Sequence, residues 1–507
     1  MLIDGDVRLD QVECDPFAGF RFMLAQGDVR SRLAAGVIGH DTEIDGPFGR
    51  RKLLYADYVA SGRAVEQVER FIIEAVLPFY SNSHTEASYC GSRMNTLRRA
   101  ARKVVADHCG ADGRHAVLFT GAGATAGINR LVGLLGVSGA AAAGDPPLVI
   151  LGPYEHHSNI LPWRESGAEI VEISEDEHGG PLLAELDEVL RSSTGRRRIC
   201  AFSAASNVTG IVTDVAAVTR LAKAAGALMI WDYAGGGPYL PISMSPAPDA
   251  EIDAIVLSPH KFVGGPGASG VTILRRDAVS ADRPTLPGGG TVRFVSPWGH
   301  DYSAALEDRE EAGTPNLIGD IRAALAILVK EAIGEKAMAR RNAELTRLAF
   351  DAWENVPGLQ LLGSPDRSRL PIFSFRVADG AGGLVHHQLV TRMLSDCFGI
   401  QARGGCACAG PYIHRLLDID RAASASLRQA IMEGDELAKP GFVRLNFSVL
   451  LSDEEVRHIC DAVARLPLDA PRLQAFYEGD RQRAVFRPVV PEDATAIDAP
   501  TGLSFRG

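Results

Sequence analysis

A histidine and a lysine stand side by side in SPHKFVGGPG (258–267), where the apolar run AIVLSP (254–259) ends. Lys261 could be an ordinary surface lysine in a loop, which is the commonest situation for this residue type. It could instead form a Schiff base with the carbonyl group of a cofactor. The polar residues that follow the other apolar runs of the chain decide between these two interpretations.

Short apolar runs alternate with helical patterns between residues 116 and 276. Consecutive apolar residues are typical of strands that are covered on both faces of a sheet. Their alternation with helices predicts a mostly parallel sheet with helices on both faces. Ligands of such sheets bind beyond the carboxyl ends of the strands, so functional residues are expected directly after each run. The runs are 116–121, 147–152, 198–206, 228–234, 254–259 and 271–276.

The first run leads into a glycine-rich turn, FTGAGATAG, and then into a helical pattern. Glycines allow the backbone to approach an anion closely, and the first turn of a helix offers free N–H groups. The same glycine spacing also fits a loose dinucleotide-binding pattern, which makes a nucleotide-dependent oxidoreductase an alternative. The glycines alone do not choose between a phosphate group and a dinucleotide.

Further polar residues follow the later runs. A carboxylate at the end of an apolar strand, as at Asp232, is costly to bury unless it meets a cation such as a protonated pyridine nitrogen. A nicotinamide cofactor would explain the glycines but leave these polar residues without a role, whereas pyridoxal phosphate (PLP) would use all of them. We therefore predict a PLP site. The residues are His156, Asn207, Asp232, Ser258, His260 and Lys261.

Between LLYADYVASGR (53–63) and LSDEEV (451–456) the chain resembles the class V aminotransferase-fold PLP enzymes, and within them the cysteine desulfurase/selenocysteine lyase group. The resemblance rests on PYEHHSNILPW, SNVTG, LSPHKF and EAGTPN, and on GIQARGGCACAGP, which is similar to the loop that bears the catalytic cysteine. It implies an α/β protein of PLP fold type I, with a mostly parallel central sheet, helices on both faces, and a smaller α+β C-terminal domain.

The resemblance also implies roles for individual residues and a homodimer. The expected catalytic residues are Lys261 as Schiff-base lysine, Cys408 as nucleophile and His156 stacked on the pyridine ring. The substrate is expected to meet Arg444, which would hold its carboxylate, and also Arg403 and His84. Thr314, and with it His84, is expected to reach the site of the other subunit. The expected cofactor-binding residues are Ala124, Thr125, His156, Asn207, Asp232, Ser258, His260, Lys261 and Thr314.

This chain departs from the family pattern at two positions in the expected site. Ala124 stands where the family has the first of two threonines, and Gly235 stands where it has a glutamine. The segment 412–440 also looks like an inserted helical stretch over the mouth of the site. These departures leave the cofactor assignment in place but keep related chemistries open.

The expected activity is that of a cysteine desulfurase, which transfers sulfur from L-cysteine to Cys408 as a persulfide, releases alanine and passes the sulfur to an acceptor protein. The alternatives on the same cofactor are a selenocysteine or C–S lyase and an amino-acid epimerase. An alternative of a different class is a non-catalytic sulfur-carrier or interaction protein. Cys406 and Cys408 could also form a structural C-x-C pair or half of a metal site with His414, but too few ligands lie nearby and we predict no metal.

Composition limits the remaining possibilities. The net charge of −11 argues against a nucleic acid or an anionic membrane as partner. The N-terminus lacks the apolar stretch of a signal peptide, and no apolar run approaches the ~18 residues of a membrane span. Eight sparse cysteines in a long chain are typical of a reduced, cytoplasmic protein. The expected domains are an N-terminal arm with part of the small domain (1–65), a large PLP-binding domain (66–330), a small domain (331–468) and a C-terminal extension (469–507).

Overall fold

A seven-stranded sheet forms the centre of the structure, a computed structural model that describes residues 15–82, 86–366 and 368–489. The strands lie in the order β1-β7-β6-β5-β4-β2-β3. β7 runs antiparallel to its neighbours β1 and β6, and the other neighbouring strands are parallel. The predicted mostly parallel sheet is therefore confirmed. The strands are β1 His115–Gly121, β2 Leu148–Leu151, β3 Glu169–Glu172, β4 Arg198–Ser203, β5 Leu228–Asp232, β6 Ala254–Leu257 and β7 Gly270–Arg275.

The six predicted runs correspond to six of these strands, and β3 is the strand that they omit. β3 has the sequence EIVE and lies at the edge of the sheet, where its residues are half-buried or exposed. An edge strand that is only partly covered does not need a continuous apolar run. The other strands are buried on both faces, which explains why their composition revealed them.

Helices cover both faces of this sheet, as predicted. Alternate strand residues point to opposite faces, so that Ile150 packs into one core and Val149 into the other. The first core is closed by helices that include Tyr89–Cys109, Leu183–Ser192, Val215–Ala224 and Leu317–Ile333. The second is closed by Gly123–Leu134, Val137–Ala142, Leu161–Glu165 and Leu306–Glu310.

A smaller α+β unit follows, with a core of its own around Trp353 and Phe373. Its antiparallel sheet has the order β8-β9-β11-β10 and packs against the helices Glu335–Trp353, His387–Phe398 and Asp453–Leu473. Two consecutive helices, Leu317–Ile333 and Glu335–Trp353, lead from the large sheet to this unit, and the chain turns between them at Gly334 with a φ of +81°. The strands are β8 Leu359–Leu361, β9 Ile372–Val377, β10 Arg403–Gly405 and β11 Phe442–Asn446.

The remaining elements connect or extend these two units. Leu54–Tyr55 pairs with Ile400–Gln401, so the N-terminal part of the chain contributes to the smaller unit. The expected domain boundaries remain predictions, although the helix Asp453–Leu473 continues past residue 468. Further helical segments are Ala18–Leu24, Val29–Ala35, Glu66–Phe71, Ile72–Val76, Leu77–Phe79, Gly410–Leu416, Arg421–Met432 and Glu436–Ala438. Three two-stranded ribbons comprise Glu43–Gly46 with Gly49–Lys52, Val292–Ser296 with Gly299–Tyr302, and Tyr477–Asp480 with Val485–Pro488.

Within the part of the chain that the structure describes, no helix is both long enough and apolar enough to cross a membrane.

Candidate active site

Eleven of the predicted site residues line a single cavity of about 190 Å³ at the carboxyl ends of the sheet strands. Two predicted residues do not join them. Thr314 lines a separate cavity beside Asn316, and His84 lies outside the described residues. The residues brought together are Ala124, Thr125, His156, Asn207, Asp232, Ser258, His260, Lys261, Arg403, Cys408 and Arg444.

One end of the cavity is built from hydrogen-bond donors at the start of the helix Gly123–Leu134. No side chain among the described residues caps this helix. The Ala124 N–H donates to Ser258 Oγ over 3.0 Å, and the hydroxyl of Thr125 lies 2.6 Å from that of Ser158. Gly123 has a φ of +61°, and a Cβ at this position would lie 2.8 Å from Ser258 Oγ. Free backbone N–H groups and hydroxyls at a helix N-terminus suit a phosphate group.

Asp232 and Lys261 define the middle of the cavity. Asp232 ends β5 in a buried position, and its Oδ1 accepts a hydrogen bond from the Ala234 N–H over 2.7 Å. Burial raises the pKa of Asp232, while the positive charge of Lys261 acts in the opposite direction. Burial lowers the pKa of Lys261 to about 8, against the stabilising charge of Asp232. A lysine amine with a lowered pKa is more often unprotonated and therefore more nucleophilic.

Two histidines face this cavity as neutral rings. Burial, and secondarily the charge of Lys261, lowers the pKa of His156 to about 3 and that of His260 to about 4. His156 Nδ1 accepts the N–H of Ser158 over 3.1 Å, which places the ring proton on Nε2. His156 can therefore stack on a planar ligand and offer one N–H group to it.

Glu155 is a buried carboxylate for which the sequence predicted no role. It accepts hydrogen bonds from Asn159 Nδ2 over 2.6 Å, from Ser203 Oγ over 2.6 Å and from the Ser203 N–H over 2.8 Å. Burial is the main cause that raises its pKa to about 7, against these hydrogen bonds. Glu155 thereby ties the turn that carries His156 to the end of β4. Its position directly after an apolar run was the signal available in the sequence.

The opposite side of the cavity belongs to the smaller unit and carries two arginines. Arg403 on β10 and Arg444 on β11 are paired residues of the antiparallel sheet. Asp57 accepts a hydrogen bond from Arg444 Nη2 over 2.8 Å and from Arg403 Nε over 3.0 Å. Arg444 also donates from Nη1 to the Asn207 carbonyl over 3.1 Å. Its Nε is buried and meets no hydrogen-bond acceptor among the described residues.

The cysteine loop (residues 406–410) connects β10 to the helix Gly410–Leu416. Cys408 is exposed and Cys406 is half-buried. Ala407 and Cys408 have φ angles of +46° and +55°, which residues other than glycine rarely adopt. Asn207 Nδ2 donates to the Ala407 carbonyl over 2.8 Å. Its amide nitrogen is thus engaged with the loop, and its expected contact with a ring hydroxyl remains a prediction.

Around the cysteine loop, the described residues do not gather a set of metal ligands. His414, which was considered as a third ligand, contacts the Gly410 carbonyl through Nδ1 and Ser424 Oγ through Nε2. No cluster of three or more His, Cys, Asp or Glu residues suited to a metal occurs in residues 15–82, 86–366 and 368–489. The first residues of the segment 412–440, among them Tyr412 and Ile413, pack against the loop, and no residue of the segment lines the cavity.

Fold and cavity together define a class of protein. Residues 54–458 match the model of the family described as aminotransferase class V, and the chain therefore belongs to that family. The predicted family membership is confirmed.

Within this family, the chain is similar to proteins named as cysteine desulfurases. The cysteine desulfurase CsdA of Escherichia coli is 31% identical over 373 residues, which cover 72% of this chain and 86% of CsdA. A probable cysteine desulfurase of Streptomyces coelicolor is 29% identical over 372 residues, covering 71% of this chain and 84% of that protein.

Solved structures agree with this similarity. The crystal structure of E. coli CsdA superimposes with a TM-score of 0.65 at 26% identity, covering 82% of this chain and 94% of CsdA. The apo cysteine desulfurase of Thermococcus onnurineus gives a TM-score of 0.67 at 24% identity, covering 82% of this chain and 95% of that one, and this likeness concerns the fold alone. The predicted fold, PLP fold type I with a smaller C-terminal α+β unit, is confirmed.

Proposed function

We propose that this protein is a PLP-dependent cysteine desulfurase that takes sulfur from L-cysteine onto Cys408 and releases alanine. The observation that carries the proposal is that Lys261, Arg444 and Cys408 line the same cavity. These residues supply an amine for a cofactor carbonyl, a cation for an amino-acid carboxylate and a thiol for the sulfur. The names of the relatives support the same activity.

PLP fits the residues of this cavity. Its phosphate would be held by the N–H groups of the helix Gly123–Leu134 with Thr125, Ser258 and His260, and its ring nitrogen would give the buried Asp232 the cationic partner that it needs. Lys261 would hold its carbonyl carbon, and His156 would cover one face of its ring. When bound, PLP supplies an electron sink that weakens bonds at the carbon atoms of an amino acid.

The protein residues then act on the substrate itself. Arg444 binds its carboxylate through two N–H groups of its guanidinium, in the geometry of a bidentate fork. Lys261 takes and returns the proton at the substrate carbon, since its lowered pKa lets it work near neutral pH. The Cys408 thiolate attacks the substrate sulfur, so that an S–S bond forms while the C–S bond breaks. The carbon that loses sulfur takes up a proton, which leaves alanine and a Cys408 persulfide.

We further propose a cytoplasmic homodimer that passes the sulfur to an acceptor protein. Thr314 lines a second cavity of about 550 Å³, and the ribbon formed by Val292–Ser296 and Gly299–Tyr302 exposes apolar residues, with Trp298 93% accessible. Exposed apolar patches of this kind are typical of protein interfaces. In the dimer, Thr314 and His84 would complete the cavity of the other subunit.

A C–S lyase is the second candidate, because Gly235 leaves space in the cavity. A Cβ at Gly235 would make only ordinary contacts of 3.5 Å with the Ala205 carbonyl and Asn207 Cβ. The side chain expected there from the family pattern is absent from this chain. A wider cavity beside Asn207 would admit other groups to the substrate carbon.

Incubation of the purified protein with L-cysteine distinguishes these functions when alanine, pyruvate and sulfide are measured together. A desulfurase releases alanine and carries one added sulfur on the Cys408 peptide, whereas a lyase releases pyruvate. Cys408→Ser should abolish alanine release, and Cys90→Ser, at a half-buried cysteine away from the cavity, is the matched control. Release of pyruvate without alanine, or full activity of Cys408→Ser, would exclude the desulfurase.

A further inference from the structure

His157 makes two hydrogen bonds to the cysteine loop, one with its backbone and one with its ring. Its N–H donates to the Cys408 carbonyl over 2.8 Å. Its ring Nε2 accepts the N–H of Gly410 over 2.9 Å. The two contacts hold the loop on both sides of Ala409. The loop therefore depends on the turn after β2 for its conformation.

The cysteine loop needs such support because its backbone is unfavourable. Ala407 and Cys408 both lie in the left-handed region, where side chains with a Cβ are strained. Local strain of this kind persists only where the surroundings hold it in place. Within the loop, the Ala409 N–H donates to the Cys406 carbonyl over 3.0 Å. From outside the loop, Asn207 Nδ2 donates to the Ala407 carbonyl. His157 contacts the Cys408 carbonyl and the Gly410 N–H.

The fit between His157 and Gly410 is close. A Cβ at residue 410 would lie 3.0 Å from His157 Nε2, closer than such contacts normally are. Because Nε2 accepts a hydrogen bond, the ring is neutral and carries its proton on Nδ1. Burial and the positive charge of Arg164 lower the pKa of His157, which favours this neutral form. The neutral ring of His157 thus accepts a hydrogen bond from an N–H group that only a residue as small as glycine can bring this close without crowding the ring.

We propose that His157 is a positioning residue that holds the cysteine loop in the turn that presents Cys408 to the cavity. The inference rests on the proposed function of Cys408 as sulfur acceptor. His157 does not line the cavity of Lys261, and acts on the reaction through the backbone that carries the thiol. Its effect is therefore expected on the transfer of sulfur and not on the binding of cysteine.

Three variants test this role. His157→Leu keeps the bulk of the side chain but removes the acceptor, and His157→Gln keeps an acceptor oxygen of similar reach. Gly410→Ala crowds the same contact from the other side without changing the histidine. His178→Leu, at an exposed histidine beside Glu177, is the control.

Two measurements on the PLP-loaded enzyme separate positioning from a general structural role. Hydrogen–deuterium exchange follows the amides of Ala409 and Gly410, and alanine release is measured against cysteine concentration. His157→Leu and Gly410→Ala should accelerate exchange in the loop and slow alanine release at saturating cysteine about tenfold, as for loss of one hydrogen bond. The cysteine concentration at half-maximal rate should stay unchanged. His157→Gln and His178→Leu should resemble the unsubstituted protein.

The role of His157 is refuted if His157→Leu leaves loop exchange unchanged, if His157→Gln is as impaired as His157→Leu, or if the loss is confined to cysteine binding. Release of no alanine by the unsubstituted protein would refute the desulfurase proposal alone. Exchange of the loop amides would still decide whether His157 holds the loop.

Discussion

Replacing Arg444 with lysine tests which group of the cavity recognises the substrate carboxylate. Arg444 is only 3% exposed, lines the cavity of Lys261, and donates one hydrogen bond to Asp57 and one to the Asn207 carbonyl. A guanidinium has five N–H groups, so these two bonds do not use all of them. A carboxylate can bind two N–H groups of a guanidinium at once. A lysine ammonium has no planar pair of donors and would have to divide its contacts between Asp57 and the substrate.

The expected size of the effect follows from the hydrogen bonds that are lost. A hydrogen bond to a charged group contributes about 1.5–3 kcal/mol, and Arg444→Lys removes about one such bond together with the fork geometry. A loss of about 2–3 kcal/mol corresponds to a rise of about 30- to 150-fold in the KM for cysteine. The kcat should fall much less, because Lys261 and Cys408 are unchanged.

The assay is alanine release over a range of L-cysteine concentrations, with the absorbance of the bound cofactor recorded for each variant. The control is Arg347→Lys, at an exposed helix position where the arginine pairs with Asp351. The cofactor spectrum without cysteine should be the same in both variants. An unchanged KM in Arg444→Lys would remove Arg444 from the carboxylate site, and a loss of bound cofactor would show that it supports the cofactor instead.

Three further predictions concern the cofactor and the thiol. Lys261→Ala should abolish turnover, and borohydride should fix the cofactor to the Lys261 peptide and to no other lysine. PLP uptake by the apo-protein should rise with pH through about pH 8, where half of the Lys261 amine is neutral, and level off only well above that pH. Cys408→Ser should stop desulfuration, while the change in cofactor absorbance on cysteine binding should persist. Cys406→Ser should at most slow the transfer of sulfur. The reverse pattern would assign the nucleophile to Cys406. Gly123→Ala should weaken PLP retention on dialysis, because its Cβ would lie 2.8 Å from Ser258 Oγ at a φ of +61°; full retention would contradict the phosphate site.

The sheet could be predicted where burial dictates composition. β2, β4, β5 and β6 are buried along almost their entire length, and their apolar runs identify both their type and their approximate ends. The edge strand β3 was missed because exposed edge positions tolerate glutamate. The turn at Gly334 between the helices Leu317–Ile333 and Glu335–Trp353 was not predicted either, because the residues on both sides of it follow a helical period. The first helix packs into the core of the large sheet, and most of the buried apolar residues of the second pack into the core of the smaller unit.

The cofactor side of the cavity could be predicted because the carboxyl ends of parallel strands meet at one edge. The expected residues that line this side of the cavity lie at the end of a strand or within a few residues of it, and the topology of the sheet brings them together. Asp57 and His157 could not be assigned in this way. Asp57 contacts Arg444 across 387 positions of the chain, and His157 contacts Gly410 across 253. The first pair depends on how the N-terminal segment joins the smaller unit. The second depends on how that unit packs against the sheet, and no local sequence pattern encodes either arrangement.

The charges on the two sides of the cavity explain why both units are needed. The sheet side provides a helix N-terminus for a phosphate and the carboxylate of Asp232 for a ring cation. On the other side, the guanidinium groups of Arg403 and Arg444 share the single carboxylate of Asp57. One excess positive charge therefore remains where the substrate is expected to bind. The α-carboxylate of an amino-acid substrate would balance this charge. This balance favours an amino acid with an uncharged side chain, as L-cysteine is when its thiol is protonated, because a second carboxylate would be buried without a cation.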